Sequence, residues 1–352
     1  MFHFSHFFVI FRRNFSTVPN CLLQKFHFRT LVSALPKRSR QEIEKILNNR
    51  QKFEIIYGIH PSLAVLNGRQ RTVSRVFLRE DLFNLPHEEL KMKNPWLASA
   101  VQKAVNKFEV KSVSCDFLTV LTSGRSNQGI AIECTPIPMP SLNGVSASSL
   151  LHFNHCGHNL AKPASCCGSS SIILFLDQIQ DVMNMGSILR SAVFFGIPTV
   201  LISAFFSASP SPLISKLSSG AMESLKFFRL TNPALSLKQL SKAGFIIVGT
   251  SGMQSDSLGN LSHPPPLDLC RVEPQMVGSF VNGPPRPLVL VLGSEAYGLS
   301  DSVLSSCNLI VRIPGLVDQL DDCSAVSSPL PTSLNVAAAT AILLHQIKSI
   351  RS

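Results

Sequence analysis

The first 41 of the 352 residues contain no aspartate and no glutamate; the first acid is Glu42. The same stretch holds Arg12, Arg13, Lys25, Arg29, Lys37, Arg38 and Arg40, so +7 of the net charge of +11 lies there. An acid-free, arginine-rich, serine-containing start has the composition of a mitochondrial transit peptide, which is expected over 1–41. A secretory signal fits less well. Its bases should precede the short apolar patch at Phe7 to Phe11, and here Arg12 and Arg13 follow it. The basic character of the chain is therefore mostly a property of this leader and is not evidence for nucleic-acid binding.

Long apolar runs are also missing. The richest, Val336 to Leu344, is interrupted by Thr340, and a membrane span needs roughly 18 residues or more. The run reads as a buried helix, and no membrane span is expected. Charged residues are scarce at 15%, while 45% of the chain is apolar, which excludes a wholly disordered protein. No internal repeat is visible. The nine cysteines are scattered and odd in number, as expected in a reducing compartment rather than in a disulfide scaffold. His152, His155, Cys156, His158, Cys166 and Cys167 are of metal-ligand type. They match no paired C-x₂-C spacing and lie in linker-like sequence, so no metal site is expected.

Two α/β regions remain. The first, expected over 42–134, opens with a polar helix at 41–51. Strands are expected at Phe53 to Ile56, Val73 to Leu78, Val110 to Val113 and Gly129 to Glu133. A helix follows Gly58 with Pro61 near its start, and another runs from Pro95 to Lys107 with Asn94 as cap. Residues 135–170, rich in Pro, Ser, Gly and His, read as a linker. From 171 to 352, continuous apolar strands alternate with helices: 171–176, Pro198 to Ser203, Gly244 to Thr250, Pro287 to Leu292 and Asn308 to Ile313. That pattern predicts a mostly parallel sheet covered on both faces.

Three islands stand at strand carboxyl ends, where open α/β sheets bind ligands. The first, LDQIQDVMNMGSILRSAVFFG (176–196), sets Asn184 and Gly186 ahead of a helix carrying Arg190. Asn184 serves equally as an ordinary helix cap, and Arg190 as a solvated side chain. The second, VLVLGSEAYGLS (289–300), flanks Glu295 with Gly293 and Gly298. It is neither a dinucleotide fingerprint nor a phosphate-binding P-loop. The third is IPG (313–315), then SLNVAAATAILLHQI (333–347), a buried helix with Ser333 as candidate cap and Asn335 beside it.

Together the islands resemble, in order, the three motifs of the SpoU/TrmH family of SPOUT RNA ribose methyltransferases. LSSGAMES (217–224) is similar to the small-residue segment between them. FEIIYGIHPSLAVLNGRQRTVSRVFL (53–78) and SNQGIAIE (126–133) resemble the family's ribosomal-protein-like substrate-binding domain. The resemblance covers about 53–134 and 172–349. It implies that small α/β domain followed by a trefoil-knotted SPOUT α/β methyltransferase domain with a mostly parallel sheet. It further implies S-adenosyl-L-methionine as methyl donor and a homodimer. By the motifs, Gly293, Gly298, Ile313 and Leu334 would hold the cofactor, while Asn184, Arg190, Glu295, Ser333 and Asn335 would form the catalytic constellation.

With the leader, the resemblance points to a guanosine 2′-O-methyltransferase acting on mitochondrial large-subunit rRNA in the matrix. An inactive rRNA-binding assembly factor and a tRNA 2′-O-methyltransferase are the alternatives. Arg69, Arg71, Arg75 and Arg79 are the candidate RNA-binding patch, or else a solvated face. Two departures from the motifs stand out. Residues 315–332 insert Asp318, Asp321 and Asp322 beside the expected cofactor site, where three acids would repel RNA phosphate. Ala337 stands where the family commonly has serine.

Overall fold

The computed structural model describes residues 30–49, 52–142, 172–251, 267–268, 286–315 and 333–351. Contacts divide the chain into two units: 1–137 with 210–223, and 138–209 with 224–352.

In the first unit, helix α1 (Lys37–Asn48) buries Ile43, Ile46 and Leu47 at helical spacing, and Leu35 just before it is buried too. Residue 41, the expected end of the leader, lies within this helix. Strand β1 (Glu54–Tyr57) leads into α2 (Ile59–Asn67). Gly58 begins that helix at φ +93°, so Pro61 is its third residue rather than its first. Next come β2 (Val73–Arg79), α3 (His87–Lys93) and α4 (Pro95–Lys107). Helix α4 starts as expected: the Leu97 N–H donates to Asn94 Oδ1 at 3.0 Å and Pro95 needs no partner at the first position. Strand β3 (Val110–Val113), helix α5 (Cys115–Leu121) and β4 (Ile130–Cys134) complete the unit. The sheet order is β1-β4-β2-β3, with β4 antiparallel to both neighbours and β2 parallel to β3. Apolar side chains cover both faces.

The second unit is built on short strands, the most central of them uncharged. Its elements are β5 (Ile172–Leu176), α6 (Val182–Phe194), β6 (Thr199–Ser203), β7 (Lys226–Leu230), α7 (Pro233–Lys242), β8 (Ile246–Thr250), β9 (Leu267–Asp268), β10 (Leu288–Leu292), β11 (Leu309–Arg312) and α8 (Val336–Arg351). Every residue of β5, β6 and β10 is buried, as a strand covered on both faces requires. The order is β7-β6-β5-β10-β8-β11-β9, all parallel. The chain runs outward from β5 through β6 to β7, then crosses to β8 and returns as β10 beside β5. The topological switch thus lies between β5 and β10, and a ligand crevice is expected outside their carboxyl ends.

The expected linker 135–170 does not stand apart throughout. Arg229 N–H donates to the Pro140 carbonyl and Leu142 N–H to that of Arg229, each at 2.9 Å, and Leu142 is buried in the second unit's core. The histidine and cysteine cluster from His152 to Cys167 lies outside the described residues, as do most of the leader and residues 316–332. The chain reaches α8 through 316–332, so the knotted path implied by the resemblance also lies outside the described residues. Among the described residues no helix is long and apolar enough to cross a membrane. No group of three or more His, Cys, Asp or Glu among them could hold a metal.

Candidate active site

The turn after β5 begins with Asp177, whose N–H donates to the Leu292 carbonyl of β10 at 2.8 Å. The Asp177 side chain is buried and its Oδ2 has no hydrogen-bond partner. Burial pushes its carboxyl pKa up, against the opposing pull of a Ser203 hydrogen bond. Helix α6 is capped by Asp181, whose carboxylate accepts from Met183 N–H at 2.9 Å. This corrects the reading of Asn184 as cap. Asn184 is the third helical residue, and its amide is released for another task.

That task is a hydrogen-bonded chain across the switch. Asn184 Nδ2 donates to Glu295 Oε1 at 2.8 Å, and Asn335 Nδ2 donates to Asn184 Oδ1 at 2.9 Å. Asn335 Oδ1 in turn accepts from Ala337 N–H at 2.9 Å and more weakly from Ala338 N–H at 3.4 Å. Asn335, not Ser333, is therefore the cap of α8. The backbone fixes the direction of the chain. Because Asn335 Oδ1 is taken by helix N–H groups, only its Nδ2 can face Asn184, and so only the Asn184 Nδ2 can face Glu295. Three side chains from the three islands, 111 and 151 residues apart, act as one polar unit.

Gly293 closes β10. A Cβ there would stand 2.6 Å from the Gly298 carbonyl oxygen and from Leu299 N, both backbone atoms that cannot swing away. The two glycines pinch a turn in which Ser294 N–H donates to the Gly298 carbonyl at 3.0 Å and Gly298 N–H returns to Ser294 O at 2.9 Å. Glu295 is presented from its tip, beside Tyr297, which is 88% exposed. Ile313 lies half-buried just after β11, and Ser333 and Leu334 are exposed just before α8. Apolar side chains beside a glycine turn, with no lysine or arginine within it, fit an uncharged nucleoside better than a phosphate.

Residues 171–345 match the SpoU rRNA Methylase family. This part of the chain is a SpoU methylase domain. It is 24% identical over 326 residues to the mitochondrial rRNA methyltransferase 1 of Schizosaccharomyces pombe, covering 90% of this chain and 97% of that one. It is 27% identical over 293 residues to a 23S rRNA (guanosine-2′-O-)-methyltransferase, RlmB, of Blochmanniella floridana, covering 83% and 93%. The fold is similar to the SpoU methyltransferase AviRb of Streptomyces viridochromogenes, solved with AdoMet. There the TM-score is 0.57 and identity 18%, over 90% of this chain and 99% of that one. The α/β fold with its parallel sheet is thus a SPOUT methyltransferase fold.

Within the SpoU domain, Arg190 lies further along the helix that carries Asn184. Helix α6 starts at Val182, four residues earlier than the sequence suggested, so Arg190 lies more than two turns into it. It is six residues beyond Asn184, about 240° around the helix, and exposed.

The candidate arginine patch of the first unit is corrected more sharply. Arg71 is buried, with Nε 2.6 Å from Glu223 Oε2 and Nη1 2.7 Å from Glu54 Oε2 and 2.9 Å from the Thr135 carbonyl. Burial would lower its pKa, but the charge and hydrogen bonds of Glu223 outweigh burial and raise it. Ser215 Oγ completes the cluster, donating to Glu223 Oε1 at 2.7 Å. Arg75 pairs with Glu133 and Arg79 with Asp81. Only Arg69 is exposed without such a pair among the described residues. What the sequence reading missed was Glu223 in LSSGAMES. Gly220 in the same segment, at φ +82°, lets the segment approach the His60 carbonyl, where a Cβ would be 2.8 Å away. The cue was there: a lone acid in a run of small residues has to be paired if it is buried.

Proposed function

We propose that the protein transfers a methyl group from S-adenosyl-L-methionine to the ribose 2′ oxygen of a guanosine in mitochondrial large-subunit rRNA. The observation that carries the reading is the Glu295–Asn184–Asn335 chain, which joins the three family motifs across the switch point. Two relatives, one a mitochondrial rRNA methyltransferase and the other a 23S rRNA (guanosine-2′-O-)-methyltransferase, each matched over most of its length, support the substrate class. Bound S-adenosyl-L-methionine would supply an electrophilic methyl group. Gly293, Gly298, Ile313 and Leu334 would hold it, chiefly through backbone groups and apolar contact.

The chain's own residues then have to position a hydroxyl, whose proton is released to water as its oxygen takes the methyl group. Asn184 and Asn335, locked by Glu295 and the α8 backbone, present a fixed edge that orients the ribose or the cofactor. Ser333 adds an exposed hydroxyl beside them. Arg190 is the residue for the RNA itself. Its guanidinium clamps a phosphate next to the target and orients the hydroxyl. The 2′ hydroxyl is what distinguishes RNA from DNA, so no base-edge motif is needed for that choice. Arg69 is the remaining patch residue available for RNA.

The protein acts as a homodimer in the mitochondrial matrix. Exposed Phe194 on α6 and Ile342 on α8 support the dimer, since these two helices pack together and leave apolar surface outward. The acid-free leader supports the location.

The deciding experiment incubates the purified chain with labelled S-adenosyl-L-methionine and mitochondrial large-subunit rRNA, then identifies the digested nucleosides. Labelled 2′-O-methylguanosine is expected. Arg190→Ala is expected to abolish transfer with cofactor affinity nearly unchanged; equal loss of both overturns the Arg190 role. RNA binding without label would instead favour an assembly factor.

A further inference from the structure

The loop that follows β6 carries two phenylalanines that the methyl-transfer chemistry does not use. Phe205 is 65% exposed and Phe206 is 74% exposed. Neither ring is needed for packing, yet the backbone beneath them is well fastened. Ala204 N–H donates to the Leu230 carbonyl and Ala208 N–H to the Ile179 carbonyl, each at 2.8 Å. Ser203 Oγ accepts from Gln178 N–H at 2.9 Å, and lies 2.6 Å from Ser207 Oγ and 3.3 Å from the Phe205 carbonyl. Phe206 is held at φ +59°, a conformation that a bulky side chain rarely adopts and that glycine would take without strain.

Position gives the pair a use. The loop leaves the carboxyl end of β6, directly beside β5 in a parallel sheet, so it stands on the rim that carries the three islands. Two of its hydrogen bonds go to residues 178 and 179, in the turn that launches Asn184 and Arg190 on α6. On its other side, edge strand β7 presents Arg229, exposed and with no ion pair among the described residues. Two outward rings and an uncommitted guanidinium beside a ribose-modifying site match the way proteins hold single-stranded RNA: bases stack on aromatic faces while cations meet the phosphates.

We propose that Phe205 and Phe206 form a stacking platform for unpaired nucleobases flanking the target nucleotide, with Arg229 on the adjoining phosphate. The inference rests on RNA being the substrate and adds that the target lies in an unpaired segment. A target within a continuous duplex would leave the rings without a partner.

The test measures binding of three fluorescent probes to the full chain: a short oligoadenylate, an abasic ribose–phosphate strand of equal length, and a blunt RNA duplex. Phe205→Ala/Phe206→Ala is expected to weaken oligoadenylate binding by about tenfold or more, leaving the abasic strand and the duplex unchanged. Phe205→Trp/Phe206→Trp is expected to restore it. Phe206→Gly removes a ring while relieving the positive φ, so weaker binding in that variant with an undiminished unfolding temperature cannot be misfolding. Unchanged oligoadenylate affinity, or an equal loss for all three probes, overturns the proposal. So does a fall in molecular mass by sedimentation with oligoadenylate affinity intact, which would make the rings a contact between copies. Methyl transfer to rRNA is assayed alongside. Its absence in the parent chain would count against the enzymatic reading, whereas ring-dependent binding bears only on the platform.

Discussion

Replacing Asn184 with aspartate changes one atom of the polar unit and reverses its logic. In the parent, Asn184 Nδ2 donates to Glu295 Oε1 over 2.8 Å. In Asn184→Asp an acceptor faces an acceptor, and two carboxylates stand where one did. A hydrogen bond to a charged group is worth about 1.5–3 kcal/mol, and the lower figure applies because Glu295 is exposed. Coulomb repulsion at that separation adds roughly 1.5 kcal/mol at the dielectric of water. Together about 3 kcal/mol acts against the ordered unit, roughly a hundredfold in its population and in single-turnover methyl transfer. Molar salt should recover part of the repulsive share, since the Debye length then shrinks to about 3 Å.

The compensating change is Glu295→Gln. In the double variant the new amide at position 295 donates to the new carboxylate at position 184, and Asn335 still donates from its other side. One negative charge remains, moved from one member of the pair to the other. Glu295→Gln alone should lose about tenfold, and the double variant should exceed Asn184→Asp by at least tenfold. A double variant no better than either single would show that Glu295 touches the reacting atoms itself, and would refute the view that it acts by holding Asn184.

Three further outcomes follow from other parts of the structure. Arg71→Ala strands Glu223 and Glu54 and should destabilise the first unit by about 3–5 kcal/mol. The fluorescence of Trp96, the single tryptophan, reports this in urea, and Arg71→Lys should not rescue it because Lys cannot serve two carboxylates and a carbonyl in one plane. Gly293→Ala forces the Ser294–Gly298 turn to shift, and should cut methyl transfer about a hundredfold while leaving the urea transition of Trp96 unmoved. Asp177 gives a pH signature. Its carboxyl pKa is raised in the folded state, so the folded chain binds that proton more tightly than the unfolded chain does. The resulting penalty is absent below the unfolded-state pKa and grows as pH rises through the folded one. Asp177→Asn lacks it, so the variant should gain on the parent in thermal stability as pH rises above the ordinary aspartate range; a difference that stays flat with pH would show that Asp177 does not titrate there.

Much of the second unit was legible because its strands are buried on both faces. ILFL, TVLIS and LVLVL can hardly be anything but interior, and the first two islands each sit at the end of such a run. Strand β7 was not legible: its Lys226 and Arg229 break the apolar pattern, as an edge position allows. Helix α5 is only seven residues long and reads as either a strand or a helix segment. The caps were misassigned for a common reason. Asp181 and Asn184, or Ser333 and Asn335, are equally good capping types, and which one caps depends on where the helix begins, the least local fact about it. The arginine patch failed because charge was counted without partners. Arg71 meets Glu223, 152 residues later in the chain, and nothing in a stretch of arginines distinguishes a buried clamp from a solvated face.

The capping of α8 by Asn335 also explains why the third island needs an asparagine rather than another capping residue. Serine, threonine and aspartate can all accept from the N–H groups of a helix start. Only asparagine accepts there with one atom while donating from the other. Serine would have to divide one hydroxyl between both tasks, and aspartate has no donor to offer Asn184. The same holds for Asn184, which must accept from Asn335 and donate to Glu295. Two amides in series between a helix backbone and a carboxylate transmit a fixed polarity, and replacing either by aspartate reverses it. The polar unit thereby becomes a consequence of α8 having formed: where that helix start frays, Asn335 is free to turn over, and Asn184 loses the partner that aims it. Asn335→Asp should therefore keep the cap and the helix while lowering methyl transfer, whereas Asn335→Ala should lose both.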